Sequence, residues 1–215
     1  AQQSGATPLI CENDYHFSKN ENSWNFTGKK SAYHNLPLPA LQGEHQIANA
    51  AVALALCEAL PSFSFSESAI TQGLKDVSWP ARLQALPSGY WSSLAPKNAQ
   101  IIVDGGHNAM AAEAIASWAA SQNKPIHALC GMLDDKEADN FFEILAPHLA
   151  SLTTITLPNT EASYSAENLA EIAKRQGINA VPAPSPEAAI SQLALAKEAL
   201  ILICGSLYLA GAILA

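Results

Sequence analysis

Cations are scarce in this sequence. Eleven lysines and arginines stand against 19 acids, and the formal net charge is −8. No basic cluster exceeds Lys29-Lys30. The phosphate-neutralising surface that nucleic-acid binding needs is therefore missing, and no nucleic-acid partner is expected. Uninterrupted apolar runs of about 18 residues are also lacking, so no membrane span is expected. The opening Ala1-Gln2-Gln3-Ser4-Gly5 has no basic stretch leading into an apolar core, so no signal peptide is expected. It also lacks an initiator Met. Four cysteines (Cys11, Cys57, Cys130 and Cys204) lie far apart without a CxxC pair. That spacing argues against zinc and redox motifs; Cys130 and Cys204 end apolar runs and read as small buried thiols, and a reducing cytoplasm fits. GxGxxG, GxxxxGK[ST], GxSxG and HExxH are all absent. Their absence removes support for a dinucleotide site, a P-loop in this chain, a nucleophile elbow and a histidine-ligated zinc.

What is present is apolar. Hydrophobic residues make up 49% of the chain, enough for a substantial core without disulfides. Residues 1–40 are irregular, with a short hairpin expected from Phe17 to Phe26 and extended chain at Leu36-Pro37-Leu38-Pro39. Ile47 to Leu60 reads as a helix stopped by Pro61, and Glu67 to Leu74 as a second helix capped by Ser66. Beyond Trp79, apolar strands alternate with helices. The expected strands are Ile101–Val103, Ile126–Cys130, Leu152–Leu157, Asn179–Val181 and Leu200–Cys204. The expected helices run from Asn108 to about Ser121, Ala138 to Leu149, Ala166 to Gln176, Pro186 to Ala196, and from Ser206 onward. Such alternation predicts an α/β fold with a mostly parallel sheet covered on both faces. Ligands then sit beyond the carboxyl ends of the strands, which here are 104–108, 131–136 and 205–208.

The chemically unusual residues fall at those ends. Asp104-Gly105-Gly106-His107-Asn108 brings an acid to a strand terminus, follows it with two glycines, and opens a helix whose free amides attract anions. The same string also reads as an ordinary capped strand–helix turn. Arg82, one of two arginines with Arg175, follows Trp79-Pro80-Ala81. Its fork suits bidentate oxygen contacts, though on local grounds a surface Arg stacked on Trp79 is the plainer reading. Gln46 and Asn49, three apart in Gly43-Glu44-His45-Gln46-Ile47-Ala48-Asn49-Ala50-Ala51, share a helix face. They are either ligands for a base or phosphate, or polar first-turn residues. Lys136, in Gly131-Met132-Leu133-Asp134-Asp135-Lys136, is either an anion contact or a solvated loop charge. Ser206, in Gly205-Ser206-Leu207-Tyr208, is either part of a carboxylate cradle or a helix cap.

Taken in order, GEHQIANAA, WPARLQ, DGGHN, GMLDDK and CGSLYLAG resemble the second half of the dihydrofolate synthase/folylpolyglutamate synthase family of the Mur ligase superfamily. The resemblance runs from about Leu36 to the end and includes residues 1–35 as the segment just before. It implies that 1–77 is the C-terminal portion of a central ATP-binding domain and that 78–215 is a Rossmann-like glutamate-ligase domain. By the same resemblance, the activity is ATP- and Mg²⁺-dependent. A carboxylate of dihydropteroate or a reduced folate is phosphorylated, and the amine of L-glutamate attacks the acyl phosphate.

Carried over residue by residue, the resemblance puts Gln46 and Asn49 near adenine and Arg82 near the phosphates. Asp104 would contact the ribose or orient the closed domain. His107 would lie between nucleotide and glutamate, and Ser206 would hold the incoming glutamate. Lys136 and Asn108 are further candidates. Ala81 departs from the family, which has Gly before the Arg; a left-handed turn there would strain alanine. The P-loop, the Mg²⁺ ligands and the modified lysine of the family would all lie before residue 1. The chain is therefore expected to be an inactive fragment of an enzyme that is a monomer when complete. Two other classes remain: a cell-wall Mur ligase acting on a UDP-sugar peptide, and a non-catalytic nucleotide-binding module. GEHQIANAA and GMLDDK argue against the first.

Overall fold

The computed structural model describes residues 5–60, 62–193 and 198–215. The chain divides into two compact units, Ala1–Ser78 and Trp79–Ala215.

In the first unit, β1 (His16–Lys19), β2 (Ser23–Thr27) and β3 (Ala32–Pro37) form an antiparallel sheet in that order. The hairpin expected around Phe17 to Phe26 is β1 and β2; β3 adds a third strand where only Leu36 to Pro39 had read as extended. Pro37 is tolerated there because β3 is an edge strand. Along β2 the side chains alternate. Trp24 and Phe26 are fully buried, while Thr27 is exposed. Trp24 Nε1 donates to the Pro37 carbonyl at 2.9 Å, which satisfies the one polar atom of that ring. Helix α1 (His45–Ala59) supplies Ile47, Ala51, Leu54 and Ala55, a single apolar stripe. Helix α2 (Glu67–Asp76) adds Ile70 and Leu74, and Ser66 caps it by accepting from the Ala69 amide at 3.2 Å.

The second unit is built on a six-stranded sheet of β4 (Gln84–Ala85), β5 (Ala99–Val103), β6 (Ile126–Cys130), β7 (Ser151–Thr154), β8 (Ala180–Pro182) and β9 (Ala199–Cys204). Their order is β4-β5-β9-β6-β7-β8; all neighbours are parallel except β4, an antiparallel edge on β5. All six residues of β9 are buried, as expected for a central strand covered on both faces. Leu200, Leu202 and Cys204 face a core with α4 (Ala109–Ala120), α5 (Ala138–Leu145) and α6 (Ala166–Arg175). Ile201 and Ile203 face the other core, with α7 (Pro186–Ser191), α8 (Leu207–Leu214) and residues of α3 (Tyr90–Leu94).

Chain winding explains this layering. From β5 through β6 and β7 to β8, each right-handed crossover moves onward and lays its helix on one face. The chain then reverses and inserts β9 between β5 and β6, so α7 and α8 lie on the opposite face. The helices following β5 and β9 therefore diverge to opposite faces, which opens a crevice at the carboxyl ends of these two strands.

Several boundaries differ from the sequence expectation. Helix α5 ends at Leu145, and Ala146–His148 continues as a 3₁₀ turn, because Pro147 has no amide to extend the α-helical ladder. Strand β7 ends at Thr154, although the Ile155 amide still donates to the Cys130 carbonyl at 2.9 Å. Helix α7 ends at Ser191, and the last part of the expected Pro186–Ala196 helix lies outside the described residues. Neither β4 nor α3 was expected, since two and five residues carry no periodic signal.

Candidate active site

The crevice between β5 and β9 collects Arg82, Asp104, His107 and Ser206. Asp104 follows β5 directly and is buried. Its Oδ1 accepts from the Gly106 amide at 2.7 Å and its Oδ2 from the Leu83 amide at 2.9 Å. Its own amide donates to the Ile203 carbonyl at 2.9 Å, which fixes the acid to the central strand.

Gly105 and Gly106 are required for space. A Cβ on Gly105 would lie 2.3 Å from Leu207 Cδ2 and 3.4 Å from Arg82 Nη1. A Cβ on Gly106 would lie 2.8 Å from both Ala111 Cβ and Asp104 Oδ1. The glycine turn is thus packed between the Arg82 guanidinium and the first residue of α8. Gly205 does need its conformational freedom, with φ at 101°, and a Cβ there would meet Cys130 Sγ at 2.4 Å.

Arg82 sits between two strained neighbours. Ala81 has φ of 55° and Leu83 has φ of 45°, so the left-handed turn that alanine was expected to strain is present, and leucine shares the strain. Packing imposes both angles. Ala81 is buried in the core containing α7 and α8, and Leu83 in the core containing α4 to α6. With its neighbours pulled into opposite cores, Arg82 stays half-buried at the sheet edge, and its Nη1 donates to the Ala81 carbonyl at 2.9 Å. The same carbonyl accepts from the Gly105 amide at 2.9 Å. Gln84 Oε1 accepts from the Ala81 amide at 3.0 Å. Sequence reasoning had singled out this motif without giving Gln84 a role.

His107 is half-buried, and its Nδ1 lies 2.9 Å from the Gly105 carbonyl. A carbonyl can only accept, so Nδ1 carries the hydrogen that bridges to it. Asn108 caps α4, its Oδ1 accepting from the Ala111 amide at 2.9 Å. Ser206 is buried and caps α8, its Oγ accepting from the Tyr208 amide at 3.0 Å. Neither helix has an acid in its first turn. Two positive helix ends therefore open side by side, joined by the Gly205 amide donating to the Gly106 carbonyl at 2.9 Å.

Beneath them, Cys130 and Cys204 are register partners across β6 and β9. The hydrogen bond to Cys130, burial, and the negative charge of Asp104 all push the Cys204 thiol well above its ordinary range. It stays protonated and unreactive.

The remaining candidates are carried by other segments. Lys136 is on the loop after β6, where its Nζ pairs with Asp135 Oδ2 at 3.1 Å and its carbonyl accepts from Tyr164 Oη at 3.1 Å. Gln46 and Asn49 belong to the first unit. They share one face of α1, and Asn49 Nδ2 donates to Gln46 Oε1 at 3.0 Å. Gln46 is buried and Asn49 exposed. Among the described residues, no group of three or more His, Cys, Asp or Glu is arranged to hold a metal ion. No described helix is long and apolar enough to cross a membrane.

A mostly parallel sheet with its last strand inserted at the centre, an Asp-Gly-Gly-His-Asn turn and an arginine over its glycines define an α/β ligase-type domain. Residues 92–207 match the Mur ligase, glutamate ligase domain, and the chain belongs to that family. It is 34% identical over 155 residues to a dihydrofolate synthase/folylpolyglutamate synthase of Haemophilus influenzae, covering 67% of this chain and 34% of that protein. It superposes with TM-score 0.81 and 26% identity on E. coli FolC in complex with DHPP and ADP, covering 99% of this chain and 48% of that one. A bifunctional folylpolyglutamate synthase/dihydrofolate synthase with Mn, AMPPNP and L-glutamate bound gives TM-score 0.79 at 25% identity, covering 99% of this chain and 48% of that one. The chain thus spans about half the length of these solved relatives.

Proposed function

We propose that this chain supplies the glutamate-ligase half of an ATP-dependent enzyme that joins L-glutamate to dihydropteroate or a reduced folate. A carboxylate oxygen of the acceptor attacks the γ-phosphorus of ATP and releases ADP. The amine of glutamate then attacks the acyl carbon of the resulting acyl phosphate, forming the amide and expelling phosphate. Catalysis of this kind rests on neutralising the transferring phosphoryl group and keeping water from the acyl phosphate.

The observation that carries the reading is the grouping of Arg82, His107 and two helix N-termini without a first-turn acid at the carboxyl ends of β5 and β9. In a chain of net charge −8, such a local set is what an anionic ligand requires. Arg82 is assigned to the ATP phosphates, with Asp104 at the same end of the site. Gln46 and Asn49 are assigned to the adenine. His107, presenting Nε2, is assigned to the space between phosphate and glutamate. Ser206 and the first amides of α8 are assigned to a glutamate carboxylate; Lys136 and Asn108 are secondary candidates. Magnesium is proposed to be held by ligands outside this chain. The complete enzyme is proposed to be monomeric and cytoplasmic.

The test is ADP release by this chain, alone and combined with the P-loop half that the family resemblance implies. Turnover that requires both halves, L-glutamate, and dihydropteroate or a reduced folate is the expected result. Turnover driven by a UDP-sugar peptide would move the enzyme to the cell-wall branch. Nucleotide binding without turnover under either condition would leave a binding module.

A further inference from the structure

We propose that Tyr164 is a positioning residue for Lys136: it straps the loop after β6 to the connection between β7 and α6, and so sets Lys136 to receive a carboxylate of the incoming glutamate. It acts through the Lys136 carbonyl and not on the substrate. That the carboxylate belongs to glutamate rests on the ligase reading above; the strap rests on geometry alone.

The loop 131–136 starts against the turn into α8. The Gly131 amide donates to the Cys204 carbonyl at 3.4 Å, and a Cβ on Gly205 would lie 2.7 Å from the Gly131 carbonyl oxygen. The loop therefore runs beside the helix N-terminus that Ser206 caps. Its far side is tied to residues 162–164. Leu133 and Ser163 form an antiparallel bridge. The Asp134 amide donates to the Ala162 carbonyl at 3.3 Å, and the Tyr164 amide to the Met132 carbonyl at 3.1 Å. Ser163 is anchored in turn, its Oγ accepting from the Leu157 amide at 2.9 Å. Two residues beyond Asp134 the tie is a side chain: Tyr164 Oη donates to the Lys136 carbonyl at 3.1 Å. The Tyr164 ring packs against the core that contains α4, α5 and α6, so the hydroxyl stands on a fixed support. The same carbonyl accepts from the Ala138 amide at 3.0 Å, so one oxygen joins the loop, the strap and the start of α5.

Lys136 suits the task. Its side chain is 29% exposed, against 42–64% for the other lysines in the described ion pairs, so its stem is partly covered. Its ammonium pairs with Asp135, an exposed carboxylate on the next residue; such a pair is weak and yields to a better-placed carboxylate. L-Glutamate carries two carboxylates. The Ser206 end of α8 takes one, and a cation on the adjoining loop takes the other.

The experiment pairs steady-state kinetics of the complete enzyme with amide hydrogen exchange on this chain. Wild type, Y164F, K136M and the double variant are compared. Y164F keeps the ring and its packing and removes the hydroxyl alone. It should raise the KM for L-glutamate by about threefold to tenfold, the effect of one neutral hydrogen bond, while kcat and the KM for ATP stay within about twofold. K136M should raise the glutamate KM by about tenfold or more, and Y164F should add less than about twofold to it, since both changes remove one function. On the chain alone, Y164F should speed exchange at Lys136 and Ala138 by about threefold or more while Ile201–Ile203 in β9 keep their protection. An unchanged glutamate KM in Y164F, equal rises in the KM for glutamate and for ATP, or losses that multiply in the double variant would overturn the proposal. Should Y164F not fold, K136M and wild type decide. A rise confined to the glutamate KM in K136M, with protected Lys136 and Ala138 amides in wild type, supports the strap, and an unchanged KM removes it. An absence of glutamate-dependent turnover in the wild-type enzyme would defeat the ligase reading; unchanged exchange in Y164F would defeat the strap independently.

Discussion

Arg82 sits between two residues whose backbone angles glycine would adopt freely, and that arrangement has a measurable cost. A left-handed backbone costs an L-residue about 1–2 kcal/mol, of which glycine's greater unfolded-state freedom would return part. Ala81→Gly is therefore expected to raise the unfolding free energy by about 0.5–1 kcal/mol, seen as a higher denaturant midpoint at unchanged m-value. Arg82→Ala in the complete enzyme should remove charge-assisted contacts of about 1.5–3 kcal/mol each, a loss of roughly tenfold to a hundredfold in kcat/KM per contact. Arg82→Lys should recover little, because a single ammonium cannot reproduce the planar fork; unchanged kinetics in Arg82→Ala would show a solvent-facing arginine. Much of this site is legible as residue types. Arg82 stands out by scarcity, and Ala81 by standing where glycine is expected. Leu83 and Gln84 gave no such signal, because only pairing with Asp104 and Ala81 across the turn reveals what they do.

At the scale of the element, caps and strand ends set the site. Asn108 starts α4 by accepting from the Ala111 amide. Asn108→Ala should cost about 1 kcal/mol of stability, and Asn108→Asp should cost little, since both side chains cap well. Thermal unfolding of the two variants checks this. The ends of β6 and β9 add a pH effect. The Cys204 thiol is raised in the folded state by its bond to Cys130, by burial and by the charge of Asp104. Above its ordinary value of about 9, an unfolded Cys204 loses its proton while the folded one keeps it. Stability is thus fully present below pH 9 and falls as pH climbs toward the raised value. Cys204→Ala should flatten that alkaline decline, and an equally steep decline in the variant would remove Cys204 as its source. The longer elements were readable from their periodicity, β6 from Ile126 to Cys130 without error. Strand β4 and helix α3 were not, because elements that short form only where a neighbour holds them, as β5 holds β4.

At the scale of the whole molecule, each unit has its own core. Trp24→Ala is expected to remove about 3–5 kcal/mol from the first unit. Amide exchange in β9 should stay at its wild-type rate, and accelerated exchange there would show that the two cores unfold as one. The sequence by itself determined the class of this protein. Alternating apolar strands and helices dictate a parallel sheet, and the ordered motifs from Gly43 to Gly211 identify its family, because both are written in residue type and spacing. Only the tertiary structure decided how the site is assembled. That β9 inserts between β5 and β6, that Ala81 and Leu83 are drawn into opposite cores, and that Asp104 spends its two oxygens on backbone amides are long-range facts. They follow from which surfaces are buried together, and no local pattern in the chain records that.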